Sequence, residues 1–364
     1  MGKLGSIQSL RALAAWAVVL GHIGSQATTV LGKTDALGVF LYRATQSYVH
    51  AGVDLFFVIS GFIIFIVTQA PRQTDRFREC ADFTTKRALR IFPLFWITFF
   101  VTVLPQEAFQ WWDWRTWWWQ LTLVEPPINH GVAWTLVIEL RFYFLVALLL
   151  ILFRRRLSYG YAVLSLAIVA SCGFAFYSGL PSSSFTSLHL TEFVMGVVVA
   201  ALVSSQVRCF AKTAFLMGAV WMAASVGFLF KSAVPDFVGP YLAGGHYAID
   251  TQTFRIFGFG IPSALMVYGL VALEMRNAIR IPRVMIAAGD ASYSIYLWNT
   301  VILTVLAIAF GATGVPGLFA FYATTIASVA VVGWVSYRWI ERPLIRIAHR
   351  VPWDRFPAKS SRSI

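Results

Sequence analysis

Apolar runs of about twenty residues recur from one end of the chain to the other, and no other feature narrows the fold so far. Bounded by charge, Pro or Gly, they fall near residues 10–30, 50–69, 87–104, 133–153, 159–178, 186–204, 212–230, 252–273, 286–310 and 318–340. A helix rising about 1.5 Å per residue needs such a length to cross a hydrocarbon layer about 30 Å thick. Backbone polar groups in lipid must be satisfied within their own segment, so the runs are read as helices. The expected fold is all-α: a polytopic integral membrane bundle of about ten transmembrane helices.

A formal net charge of +13 would suggest a nucleic-acid partner in a soluble protein, but here 58% of residues are hydrophobic and 12% charged. In such a chain basic residues report orientation and attract lipid headgroups, so membrane lipids are expected partners and nucleic acid is not. With a cytoplasmic N-terminus, 23 of the 29 Lys and Arg fall in inner segments. Lys33, Arg43, Arg115 and Lys231 fall outside, and Arg141 and Arg255 within spans. Both termini are therefore expected in the cytoplasm.

One membrane domain is expected over 1–350, followed by a basic cytoplasmic tail over 351–364. Reading the start as a signal peptide, with Ser25-Gln26-Ala27 as cleavage site, would discard the first span and break the charge alternation. Met1 to Ser6 fits a myristoylation pattern, which a chain with ten spans does not need. Cys80, Cys172 and Cys209 form neither a disulfide framework nor a metal-ligand spacing. No metal is expected.

The informative residues are those that lipid should exclude. Arg11 and His22 are eleven residues apart, which at about 100° per residue places them about 20° apart around the first helix. Counted along their helices, His22, Asp54, Glu139, Glu192 and Asn299 fall at similar depths in the outer half of the membrane. Such groups either bind helices together as polar contacts or build a site. An imidazole that changes charge near neutral pH is the usual general base or acyl-accepting nucleophile, so His22 leads the second reading. Lys86, Arg87, Arg90 and Arg11 are expected at the cytoplasmic surface, where guanidinium groups pair with phosphate oxygens or merely set topology.

These residues carry a family resemblance. Arg11, ten residues and His22, then "GVDLFFVISGFII" from Gly52, "KRALRIFPLFW" from Lys86, "AWTLVIELRFYF" from Ala133, "TEFVMG" from Thr191, "DASYSIYLWN" from Asp290 and "ERPL" from Glu341 follow in order. The set resembles the bacterial membrane acyltransferase family 3, which modifies exopolysaccharides, lipopolysaccharide O-antigens and similar glycans. The resemblance implies a bacterial inner-membrane enzyme, with an acyl-CoA donor, most often acetyl-CoA, reached from the cytoplasm. It implies transfer to a sugar hydroxyl of a polysaccharide or lipid-linked oligosaccharide. Carried onto matching positions, it makes His22 the catalytic histidine and Arg11 its motif partner, with Arg87, Arg90 and Lys86 at the CoA phosphates. Asp54 and Glu139 are the carboxylates expected to assist, one of them orienting the imidazole. Trp134, Tyr143, Glu192, Tyr296 and Asn299 are the positions expected to meet substrate.

Asn299 departs from relatives that often carry histidine there, so hydrogen bonding replaces proton shuttling at this position. No counterpart of the extracytoplasmic hydrolase-like domain of some relatives is expected, so the membrane domain is expected to complete the reaction alone. The expected chemistry is direct attack of a sugar hydroxyl on the thioester with His22 as general base, an acyl-histidine route remaining open. The stretch "QWWDWRTWWWQ" from Gln110 is read either as an interfacial anchor or as a platform for sugar rings. A transporter or flippase of a lipid-linked glycan is the rival class, and a sensor with degenerate catalytic residues the third.

Overall fold

The computed structural model describes residues 4–31, 35–69, 75–104, 113–125, 130–178, 187–232, 254–311 and 313–350. The tail over 351–364, Met1 to Lys3 and the start of the tryptophan stretch, 110–112, lie outside the described residues. Every regular element described is helical. In chain order these are α1 (Gly5–Ser25), α2 (Ala27–Leu31), α3 (Ala36–Thr68), α4 (Arg76–Val103), α5 (Trp114–Thr122), α6 (Trp134–Leu152), α7 (Leu157–Tyr177), α8 (Leu190–Ser204), α9 (Ala211–Ser232), α10 (Ile261–Met275), α11 (Arg283–Asp290), α12 (Ser292–Phe310), α13 (Gly314–Ser336) and α14 (Arg342–Arg350).

Eight helical stretches are long and apolar enough to cross a membrane, where the sequence suggested about ten. The other two runs are helical but fall short for opposite reasons. α8 is apolar but has 15 residues. α4 has 28 residues, but even its most apolar stretch carries Lys86, Arg87 and Arg90. α3 begins well before the expected span, where Asp35 accepts the Gly38 amide at 2.9 Å. At 33 residues it runs about 50 Å, longer than the hydrocarbon layer. The run over 286–310 breaks at Ala291 into α11 and α12.

α1 and α3 form the centre. α1 packs on α3, α11 and α12, while α3 also packs on α8. The first turn of α1, whose amides have no helical partner, is capped from α10: Glu274 accepts from the Gly5 and Ser6 amides, each at 2.8 Å. Two glycines fix the α3–α8 contact. A Cβ at Gly61 would collide with the Phe193 carbonyl oxygen, and one at Gly196 with that of Val58. Small residues let membrane helices approach to backbone contact, and in this pair they bring Asp54 and Glu192 into one neighbourhood. The periphery is inverted relative to a soluble protein. Phe174 and Phe176 on α7, Val220 and Trp221 on α9, and Phe319 and Val331 on α13 are all exposed, an apolar coat suited to lipid. The chain reads as a multi-pass membrane protein.

Two π-helical turns interrupt the regular winding, over Ile256–Gly260 and Tyr337–Glu341. Such turns rotate the residues that follow and are frequent at functional sites. One directly follows Arg255 and the other ends on Glu341, and both of these charged side chains are buried.

Candidate active site

A cavity of about 60 Å³ lies between α1, α3, α4, α6 and α12, with Arg11, Arg87, Arg90 and Glu139 in its wall. Glu139 accepts hydrogen bonds from Tyr143 Oη and, at 3.2 Å, from Ser60 Oγ. The Arg87 guanidinium stands over the Tyr143 ring, 5.4 Å from its centroid, and over Phe83 at 5.6 Å. Its Nε is buried with no hydrogen-bond partner. Three guanidinium groups and one carboxylate line the wall itself, with Glu341 near Arg11 and Arg90 and Asp290 near Arg11 behind it. An unused N–H among these guanidinium groups suits an anion such as phosphate.

The three arginines that the sequence grouped on the basic side of the bundle meet in this cavity wall. α4 starts at Arg76, so Arg87 and Arg90 lie about 16 and 21 Å along it, and Arg11 is about 9 Å into α1 and 8% exposed. α4 thus begins well before the expected span, among charged residues. The groups expected in one polar layer fall into two clusters. Glu139 joins the arginines in the cavity wall, while Asp54 and Glu192 belong to a different cluster. Lys86 is turned aside, its Nζ 2.7 Å from Asp82 four residues earlier, and it does not line the cavity.

His22 sits one helical turn beyond the cavity. Tyr296 lines the wall, shares a 2.8 Å hydrogen bond with Thr135 Oγ1, and donates to the Val132 carbonyl at 3.0 Å. Three residues on, Asn299 is fully buried and its Nδ2 lies 3.3 Å from His22 Nδ1. The expected carboxylate partner of the imidazole is therefore replaced by an amide: Asp54 and Glu139 are both engaged elsewhere. Tyr293 Oη donates to the Ile91 carbonyl at 2.8 Å, which fastens α12 to α4.

The second cluster is built on Asp54. Both its oxygens are held by Arg255, from Nη2 and, at 3.1 Å, from Nε. Arg255 Nη1 lies 3.4 Å from His189 Nε2, and His189 Nδ1 lies 3.5 Å from Glu192 Oε1. Trp134 covers the cluster, its ring 5.7 Å from the Arg255 guanidinium and 5.6 Å from the His189 ring. Asp54, His189 and Glu192 bring potential metal-ligand atoms within 4.8 Å of one another. Arg255 fills the place of a cation beside Asp54. Glu192 Oε2 is the one carboxylate oxygen here without a hydrogen-bond partner.

His189 and Arg255 went unassigned in the sequence, although both left a signal. His189 precedes Glu192 by three residues, a same-face helical spacing, and a buried Arg255 requires an acid. Glu341 is a further case: it accepts from Ser294 Oγ at 2.7 Å, tying "ERPL" to "DASYSIYLWN".

A family described as an acyltransferase domain matches residues 4–338. The exopolysaccharide production protein ExoZ of Rhizobium meliloti (strain 1021) is 26% identical over 350 residues, covering 84% of this chain and 94% of that protein. No solved structure matches.

Proposed function

The chain belongs to the acyltransferase-domain family, and from that premise we propose that it moves an acetyl or other short acyl group from acyl-CoA to a sugar hydroxyl. The acceptor is an exported polysaccharide or its lipid-linked precursor, as the likeness to an exopolysaccharide production protein suggests. The enzyme works in the bacterial cytoplasmic membrane with both termini in the cytoplasm. The observation that carries the reading is the arginine-rich cavity, one helical turn from which the Asn299 amide meets a half-buried histidine. Arg87 and Arg90, with Arg11 beside them, hold the CoA phosphates or the polar arm they carry. Tyr296 and Asn299 lie where that arm meets the acceptor.

His22 is the general base. As the hydroxyl oxygen bonds to the thioester carbonyl carbon, its proton passes to the imidazole; the C–S bond then breaks, and the departing sulfur takes up a proton. Thiolate is a good leaving group, so the protein's main tasks are to position the thioester and activate the hydroxyl. Glu139 and Tyr143 set the polarity of the cavity wall. Asp54, Arg255, His189 and Glu192 hold Trp134 and the α3–α8 pair in place beside the acceptor side.

The test is the acetyl content of the host's purified surface polysaccharide, by proton NMR, in a deletion strain complemented with wild type or His22→Ala at matched membrane abundance. Restoration by wild type and not by His22→Ala is expected. Full restoration by His22→Ala overturns the role of His22. An acetyl signal independent of the gene, with polymer export depending on it, replaces the enzyme by a transporter.

A further inference from the structure

A neutral imidazole has one N–H and one lone pair, and which nitrogen bears which decides the atom that can act as a base. At His22 the choice is made by its neighbour. Asn299 Nδ2 lies 3.3 Å from His22 Nδ1 and 3.2 Å from the Tyr296 carbonyl oxygen. A carbonyl oxygen only accepts, so the amide edge facing Tyr296 is the NH2 edge. Exchanging the amide oxygen and nitrogen would set two acceptors against each other in a fully buried position. The same NH2 group therefore points a hydrogen at His22 Nδ1. Asn299 Oδ1 is left buried without a partner, which is the cost of this orientation. Nε2 of His22 has no hydrogen-bond partner among the described residues.

Resting on the acyl-transfer reading, we infer that Asn299 is a positioning residue that holds neutral His22 with its proton on Nε2, so that Nδ1 receives the sugar hydroxyl's proton. The acceptor hydroxyl then enters by taking the place of the Asn299 N–H on Nδ1. The hydroxyl proton moves to Nδ1 as its oxygen bonds to the thioester carbon. The C–S bond breaks with its electron pair on sulfur, and the imidazolium returns the proton to the thiolate. Reaction and resting state then begin and end with the same tautomer. Asn299 keeps the lone pair occupied until an acceptor arrives, which also shields the base from water.

The experiment uses the full chain in nanodiscs with ring-15N histidine, at a pH where the imidazole is neutral. The His22 signals are assigned by their loss in His22→Gln. Wild type is expected to show a protonated Nε2 and a bare Nδ1. Asn299→Asp, whose carboxylate only accepts, is expected to move the proton to Nδ1 and to lower kcat about 10²-fold, with KM for acetyl-CoA unchanged. A wild-type spectrum with Nδ1 protonated overturns the inference. So does an Asn299→Asp variant that keeps the wild-type spectrum or turns over as fast as wild type. If wild type transfers no acetyl group, the functional reading falls, while the spectrum still decides the tautomer.

Discussion

The arginine-lined cavity is half-buried and the Asp54 cluster fully buried, and the two are charged in opposite ways. In the cavity, Arg11, Arg87 and Arg90 face Glu139, and Arg87 keeps an unpartnered N–H. In the cluster a single guanidinium is saturated by Asp54 and flanked by His189, with Glu192 at the far end. An N–H left unpartnered beside a cavity is a place for a ligand. Charge consumed by the protein itself holds helices in register, at the expense that desolvating ions always carries. The first region is therefore expected to respond to mutation in binding, and the second in folding.

The contrast is broken most sharply at Asp54. Asp54→Ala leaves the Arg255 guanidinium buried and unpaired, and removing one partner of such a pair costs about 3–5 kcal/mol. A large fall in detergent melting temperature and membrane abundance is expected, whereas Arg87→Ala should melt close to wild type. If the two variants melt alike, the division between binding and folding regions fails.

Arg87→Ala and Arg90→Ala test the other side. A hydrogen bond to a charged group is worth about 1.5–3 kcal/mol, so each variant is expected to weaken acyl-CoA binding about 10- to 100-fold. The measurement is KM for acetyl-CoA in proteoliposomes, with Lys86→Ala as control, since Lys86 is paired with Asp82 and lies off the cavity. An effect of Lys86→Ala equal to that of Arg87→Ala removes the cavity from the donor's path. A smaller change is expected from Gly61→Ala. The added methyl meets the Phe193 carbonyl oxygen, and overpacking of this kind costs about 1–3 kcal/mol. It reads out as lower melting, with loss of activity following the drift of Asp54 from Arg255.

Much of this was legible before any coordinate. Among the described residues, the apolar runs anticipated all eight helical stretches long and apolar enough to span, because the length lipid demands is fixed by helix rise. That His22 and Asn299 lie at one level was also legible, and their side chains meet at 3.3 Å even though the Asn299 run breaks at Ala291. Helix bounds were not legible where a helix starts earlier than its apolar run. α4 begins among charges at Arg76 and carries Arg87 and Arg90 to the wall of the cavity. Partner choice failed for a different reason. Asp54 and Arg255 are 201 residues apart, and the packing of α3 against the π-helical turn that follows Arg255 brings them together. Side-chain pairing across such a separation is set by packing, which periodicity does not encode.

The smallest effect is expected at the tryptophans of α5, where the sequence left anchor and sugar platform open. Asp113 begins the helix by accepting the Thr116 amide at 2.8 Å, which holds its carboxyl below the usual range. The cap is thus present at neutral pH and lost as the pH falls through that lowered value. Only Trp117 turns inward, stacking on Phe100 with ring centroids 6.2 Å apart, and Trp96 Nε1 ties the helix end by donating to the Leu121 carbonyl at 3.0 Å. Trp114 and Trp118 are one turn apart and 73% and 59% exposed. Two rings on one outward face, clear of both the cavity and the Asp54 cluster, suit the headgroup layer, where tryptophan concentrates. Trp114→Ala with Trp118→Ala is therefore expected to shift detergent stability by no more than about 0.5 kcal/mol, as for surface positions, and to leave KM for the polysaccharide acceptor unchanged. A several-fold rise in that KM with unchanged stability makes α5 a third region, one that belongs to the acceptor.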